Sequence, residues 1–360
     1  MKKISVLLLI LIVSVFMLAG CGASGKPAGS ETAPKEGKIK IVSTIFPPYD
    51  WTREIIKGSE DKIELTLLMD SGVDLHSFQP SAEDIAKISE CDIFIHVGGE
   101  SDEWVEDVLK ETKNKNMRVI TFMELLGESV KYEELVEGME EHEHEHDHDA
   151  DHDHDEHDDH DDHDAEHEHD DKDHDHDHDH DKEEDEHVWL SLKNAQVCVG
   201  AISAAIADAD PEHKDAYIAN ADAYGKKLAE LDGKYKTAVD GARVKTLVFG
   251  DRFPFRYMTD DYGLTYYAAF SGCSAESEAS FETVTFLAKK LDELGLSSIM
   301  TIDGSNGKIA ETVVSNTKAK NQKIRTLDSM QSTTAKDIEA GATYLSKMEE
   351  NLETLKAALE

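Results

Sequence analysis

Apolar residues recur along this chain in two alternating rhythms. Between residues 38 and 122, short β-branched and aliphatic runs stand at 38–45 (KIKIVSTI), 63–69 (IELTLLM), 92–97 (DIFIHV) and 117–122 (MRVITF). These read as strands, and the stretches between them have helical spacing. Residues 49–58 read as a helix closed by Gly58, and Ser81 opens SAEDIAKIS with an N-cap residue and acids in the first turn. After residue 240 the rhythm returns. Strands are expected at 244–249, 265–270, 298–302 and 323–327, and helices at about 253–261, 282–294, 308–318 and 342–359. In between, 194–208 is an Ala/Ile-rich helix. Asp210-Pro211 then offers an N-cap and a first-turn proline for a helix running to about Val239. Such β-α-β-α order predicts an α/β fold of two βα lobes with parallel sheets, joined by a long rigid helix, with a cleft between them.

Two segments break the pattern. Behind Met1-Lys2-Lys3, residues 4–18 are apolar, long enough for a signal-peptide core and short for a membrane span. They end in Leu18-Ala19-Gly20-Cys21, which resembles a bacterial lipobox in which Cys21 is lipidated. The expected plan is a signal peptide at 1–20 and a flexible Gly/Ser/Pro-rich tether at 21–37. A first lobe at 38–209, a connecting helix at 210–240 and a second lobe at 241–360 follow. The second break lies inside the first lobe, as a disordered insertion expected over 140–186. Residues 141–181 are almost wholly histidine and acid and hold 15 of the 19 histidines. With no apolar residue larger than alanine, the tract cannot build a core. Its imidazoles suit zinc, copper and nickel, so it reads as a low-affinity metal collector.

Charge narrows the partners. Residues 139–187 contain 28 acids against two lysines, a net of −26 out of −40, leaving −14 for the rest. An acidic chain offers no basic face for nucleic acid. Besides Cys21 there are Cys91, Cys198 and Cys273. They read either as one disulfide plus a thiol or as three buried small hydrophobes.

In open parallel α/β sheets, ligands bind beyond the carboxyl ends of the strands. Metal-type side chains just past such ends are His76, His187, Asp251 and Asp328, with Asp303 in reserve. Two belong to each lobe, so one ion could be held by both. Mixed His/carboxylate ligation suits zinc and also manganese. His96 sits inside a strand and reads as a packed core histidine; His213 reads as exposed.

Several motifs together, D-L-H-S-F-Q-P at 74–80, C-D-I-F-I-H-V-G-G-E at 91–100, H-V-W-L at 187–190, D-Y-G-L at 261–264, E-A-S at 278–280 and L-D-S-M at 327–330, carry a resemblance. The chain resembles the zinc/manganese substrate-binding lipoproteins of bacterial ABC transporters, of the high-affinity zinc-uptake type. The resemblance implies two lobes around one rigid helix with the metal between them. It implies ligation by His76, His187 and Asp328. Its third ligand falls on Arg252, which cannot bind a metal, so Asp251 is the nearest replacement. It also implies Zn(II), with Mn(II) as the alternative, as transported ligand. The protein would be a monomer held to the outer face of the membrane through Cys21, docking on a transporter permease. No enzyme signature appears. A competing reading is a zinc-storage protein acting through the tract.

Overall fold

The computed structural model describes residues 37–140, 183–274 and 278–360; residues 1–36, where the signal peptide and nearly all of the tether with Cys21 are expected, and the His/Asp-rich tract lie outside the described residues. The first lobe is built on β1 (Ile39–Ser43), β2 (Ile63–Leu67), β3 (Ile93–His96) and β4 (Arg118–Thr121), all parallel in the order β2-β1-β3-β4. Its helices are α1 (Phe46–Ile55), α2 (Ala82–Glu90), α3 (Trp104–Lys110), α4 (Phe122–Leu126) and α5 (Leu192–Ala209). A long helix, α6 (Lys214–Asp240), follows. The second lobe holds β5 (Thr246–Phe253), β6 (Thr265–Ser271), β7 (Ser298–Ile302) and β8 (Lys323–Leu327), parallel in the order β6-β5-β7-β8. Around it stand α7 (Arg256–Tyr262), α8 (Phe281–Leu294), α9 (Lys308–Asn316), α10 (Ala335–Glu339) and α11 (Tyr344–Leu359). The two sheets therefore share one topology, with the central strands buried on both faces as parallel sheets require.

Local signals set the boundaries. Ser81 and Asp84 form a capping box that starts α2, and Ser280 caps α8 through the Thr283 N–H. Two expectations shift. The helix expected from Asp210 begins at Lys214: the Asp210 N–H closes α5 on the Ile206 carbonyl, while its carboxylate accepts hydrogen bonds from His213 Nδ1 and Tyr217 Oη, both 2.7 Å. His213 is thus partnered at the helix start rather than freely exposed. The strand expected at 244–249 runs on to Phe253, with an irregularity between Phe249 and Arg252. Asp251 and Arg252 therefore lie within the strand, not in a loop beyond it.

The 27 residues of α6 span about 40 Å at 1.5 Å per residue. Tyr217, Ala221, Tyr224, Leu228, Leu231, Tyr235 and Val239, three or four apart, form its buried stripe. Each large side chain in that stripe contributes about 1.5–3 kcal/mol by burial. The stripe packs on α1 and α5 of the first lobe and on α11 of the second. One hydrophobic core runs through both lobes and α6, while a smaller cluster lies on the outer side of each lobe.

Polar contacts reinforce this junction. Trp51 meets Tyr344 edge-on at 5.0 Å. Tyr344 donates its N–H to Asp50 Oδ2 (2.8 Å) and its hydroxyl to the Trp189 carbonyl (2.7 Å), and Trp189 Nε1 donates to the Ser329 carbonyl (2.9 Å). The ends of the insertion also meet. Tyr132 pairs antiparallel with Glu184, the Glu133 N–H donates to the Glu183 carbonyl and the Asp185 N–H to the Lys131 carbonyl, both 2.8 Å. Residues 183–186, expected inside a disordered insertion, belong to this folded stem and its continuation. From the stem, residues 133–140 cross to the second lobe, where the Glu140 N–H donates to the Ala269 carbonyl at 3.0 Å.

Candidate metal centre

Three loops converge where the lobes meet. The first follows β2. Asp74 caps a single 3₁₀ turn, Leu75–Ser77, by accepting the His76 N–H, which presents the His76 ring toward the junction. The second is the return of the insertion, where His187 precedes the turn Val188–Leu190 and is fully buried. The third follows β6 and carries Cys273, whose N–H donates to Glu133 Oε1 at 2.8 Å. The ligand atoms of His76, His187 and Cys273 all lie within 4.8 Å of one another, and among the described residues they form the one cluster able to hold a metal ion.

Each ring is oriented from behind. His187 Nδ1 lies 2.9 Å from Asp185 Oδ1. His76 Nδ1 lies 2.7 Å from Ser101 Oγ and 3.5 Å from Glu186 Oε2. In a neutral ring, a hydrogen bond from Nδ1–H to a carboxylate or hydroxyl leaves Nε2 free to ligate a metal. The two Nε2 atoms face each other at 3.3 Å. Two imidazoles bound about 2.0–2.1 Å from a tetrahedral zinc ion stand about 3.3 Å apart, so the rings are spaced for one shared ion. Without a cation, a proton on one Nε2 can bridge the two rings, and an ion would take that proton's place.

Close approach is secured by glycines. Gly99 has φ +83°, and a Cβ there would lie 2.4 Å from Glu186 Oε1. At Gly272 a Cβ would lie 3.0 Å from His187 Cε1, so only glycine lets the third loop reach the ring.

Burial and neighbouring charge act differently on each group. Burial, followed by the neighbouring His187, pushes His76 down to about 4 and keeps it neutral. Burial works against the charged form of His187 too, but Asp185, with Glu186 and Glu133, outweighs it and raises that pKa. Burial pushes Glu186 up to about 7. Burial and then Glu133 push the Cys273 thiol far up. A coordinated cation reverses that last effect, since a metal-bound thiol is deprotonated outright.

The predicted carboxylates are engaged elsewhere. Asp251 Oδ1 accepts the Arg252 N–H (2.9 Å) and Oδ2 the Ile302 N–H (3.4 Å), tying β5 to β7. Asp328 Oδ1 accepts the Met330 N–H (2.8 Å) and Oδ2 pairs with Lys347. Asp303 accepts four hydrogen bonds from the N–H and hydroxyl groups of Ser329 and Ser332. His96 is buried between Asp102 and Thr121, as expected of a core histidine. Cys198 and Cys273 carry unbridged thiols, and the Cys91 sulfur lies 3.3 Å from Met117 Sδ. Sequence reasoning missed Cys273 by treating the cysteines as core or disulfide. Its place just past a strand end was the available signal.

Two βα lobes packed on one long helix, with metal-type side chains meeting between them, define the architecture of a solute-binding protein. Residues 41–358 match the family of the zinc-uptake complex component A, periplasmic (ZnuA), and the chain belongs to that family. It is 31% identical over 361 residues to the zinc-binding protein AdcA of Streptococcus pyogenes serotype M3, covering 99% of this chain and 61% of that protein. The chain thus spans about three fifths of that relative's length. It is 29% identical over 352 residues to the high-affinity zinc uptake system protein ZnuA of Bacillus subtilis, covering 98% and 97%. Among solved structures, the Zn(II)-bound ZnuA-like domain of Streptococcus pneumoniae AdcA superposes with a TM-score of 0.63 at 25% identity, covering 90% of this chain and 99% of that one.

Proposed function

We propose that this protein captures Zn(II) between its lobes and delivers it to an ABC importer, with His76, His187 and Cys273 as ligands. The observation that carries the reading is the 3.3 Å approach of the two Nε2 atoms, each ring held from behind by a carboxylate or hydroxyl, beside the half-buried Cys273 thiol. Two imidazoles and a thiolate suit zinc and disfavour manganese, which prefers carboxylate, carbonyl and water oxygen. The family match and the zinc-binding names of the relatives support the same cargo. Asp251 and Asp328, expected as ligands, serve in this reading to tie strands and close the second lobe. The lipobox supports anchoring through Cys21 at the outer membrane face, and the partner is then a permease. The family is one of transport components, so no chemical reaction is assigned.

Binding of the ion deprotonates Cys273, so uptake releases a proton and weakens as pH falls. The test is metal analysis of the full chain after extensive dialysis, with zinc and manganese in competition and the cobalt(II) form read by absorption. The tract contains no cysteine, so a thiolate-to-cobalt charge-transfer band cannot come from it, and its loss in Cys273→Ser assigns the band to the cleft. The band should appear in the wild type and vanish in Cys273→Ser. Its absence from the wild type would exclude this ligand set, and loss of all tight zinc on deleting 141–181 would favour storage by the tract.

A further inference from the structure

Arg252 stands where the family resemblance placed a third ligand, and a guanidinium cannot ligate. Its side chain instead reaches two of the ligand-bearing loops. Nη2 donates to Asp74 Oδ2 at 2.8 Å, across the lobe junction. Nη1 donates to the carbonyl of Ser274, the neighbour of Cys273, at 3.4 Å. Asp74 is bifunctional, because its other oxygen accepts the His76 N–H at 3.1 Å and caps the turn that carries the ring. One guanidinium is therefore linked to the support of an imidazole in the first lobe and to the backbone beside the thiol in the second.

The pair is well placed to act as a strut. The side chains of Arg252 and Asp74 are only 21% and 25% exposed, so solvent screens them less than a surface pair. The base of Arg252 is fixed as well, since Asp251 accepts its N–H and reaches Ile302 on β7. The irregularity in β5 sets the arginine in its place on the strand. A planar fork with fixed donor directions holds two acceptors at a defined separation, which an ammonium does not. Against the effect of burial, Arg252 also keeps Asp74 below the usual carboxylate range.

We infer that Arg252 is a positioning residue that locks the His76 turn and the Cys273 loop at ligand spacing and so slows release of the bound ion. The inference rests on the ligand set proposed above. The experiment uses the full chain loaded with cobalt(II), and follows loss of the thiolate-to-cobalt band on adding excess chelator. Arg252→Ala and Asp74→Asn should each speed release by about 10–100-fold, the range for residues that support metal ligands. The double variant should be no faster than the faster single variant, because both break one strut. Arg252→Lys should restore part of the lifetime. Asp74→Asn keeps a side-chain oxygen for the His76 N–H, so it tests the strut even if Arg252→Ala fails to fold. Single variants within about twofold of the wild-type rate, or effects that multiply in the double variant, would overturn the inference. A wild type with no band would instead remove the ligand set itself.

Discussion

The two lobes have the same strand order and use it differently. In each, the loop after the edge strand carries a ligand candidate: His76 follows β2, and Cys273 follows β6. Beyond that the lobes part. The first lobe adds a second imidazole and surrounds both rings with Ser101, Asp185 and Glu186. The second keeps carboxylates past β7 and β8, but Asp303 and Asp328 are consumed in holding Ser329, Met330, Ser332 and Lys347. Ser329 in turn receives the Trp189 indole N–H from the first lobe. Topology decides where a side chain can reach; its hydrogen-bond partners decide whether it is available.

Removing one candidate ligand from each lobe should have the largest effect. His76→Ala and Cys273→Ser should each weaken zinc at the cleft by more than about 100-fold, beyond the effect of supporting residues. Calorimetric titration against a competing chelator measures this, and retention of tight binding in Cys273→Ser would return the second lobe's role to its carboxylates.

A second test concerns the junction rather than the site. Burial pushes Asp50, which accepts the Tyr344 N–H, up to about 6, against about 3.9 in an unfolded chain. The folded protein therefore holds the extra proton between these values. Its stabilising contribution is complete below pH 4 and is lost as pH rises through 6. Wild-type stability should drop relative to Asp50→Asn by on the order of 3 kcal/mol between pH 4 and 7. Parallel denaturant curves for the two proteins give the difference, and equal slopes would refute it.

Tyr344→Phe removes one hydrogen bond between the lobes and strands the buried Trp189 carbonyl. A loss of about 1–3 kcal/mol in unfolding free energy is expected, with zinc affinity little changed. The smallest effect belongs to Asp328→Asn, which should leave zinc affinity within about threefold, since supporting residues that matter cost about tenfold or more. A larger loss would show that its pairing with Lys347 opens when the ion arrives.

Much of the fold was legible because parallel strands and amphipathic helices write their burial into sequence periodicity. All eight strands fell where runs such as IELTLLM and DIFIHV placed them. The misplacements were local. Asp210 looked like a helix start, but its N–H closes α5 and α6 begins four residues later, and β5 continued through Gly250-Asp251-Arg252 because a strand irregularity leaves no mark in apolar spacing. In the candidate site, the sequence pointed to His76 and His187, which meet. It pointed to Asp251 and Asp328 because acids past strand ends look alike, whatever their partners. Cys273 was passed over because a thiol in a core and a thiol facing two imidazoles read identically.

The stem that pairs Tyr132 with Glu184 separates the length of the insertion from the stability of the fold. Once the two ends are pinned, doubling the chain between them costs only about 0.6 kcal/mol in closure entropy. Lengthening or shortening the segment between the pinned ends should therefore leave the scaffold's unfolding free energy nearly unchanged, with His187 still held in register by the stem.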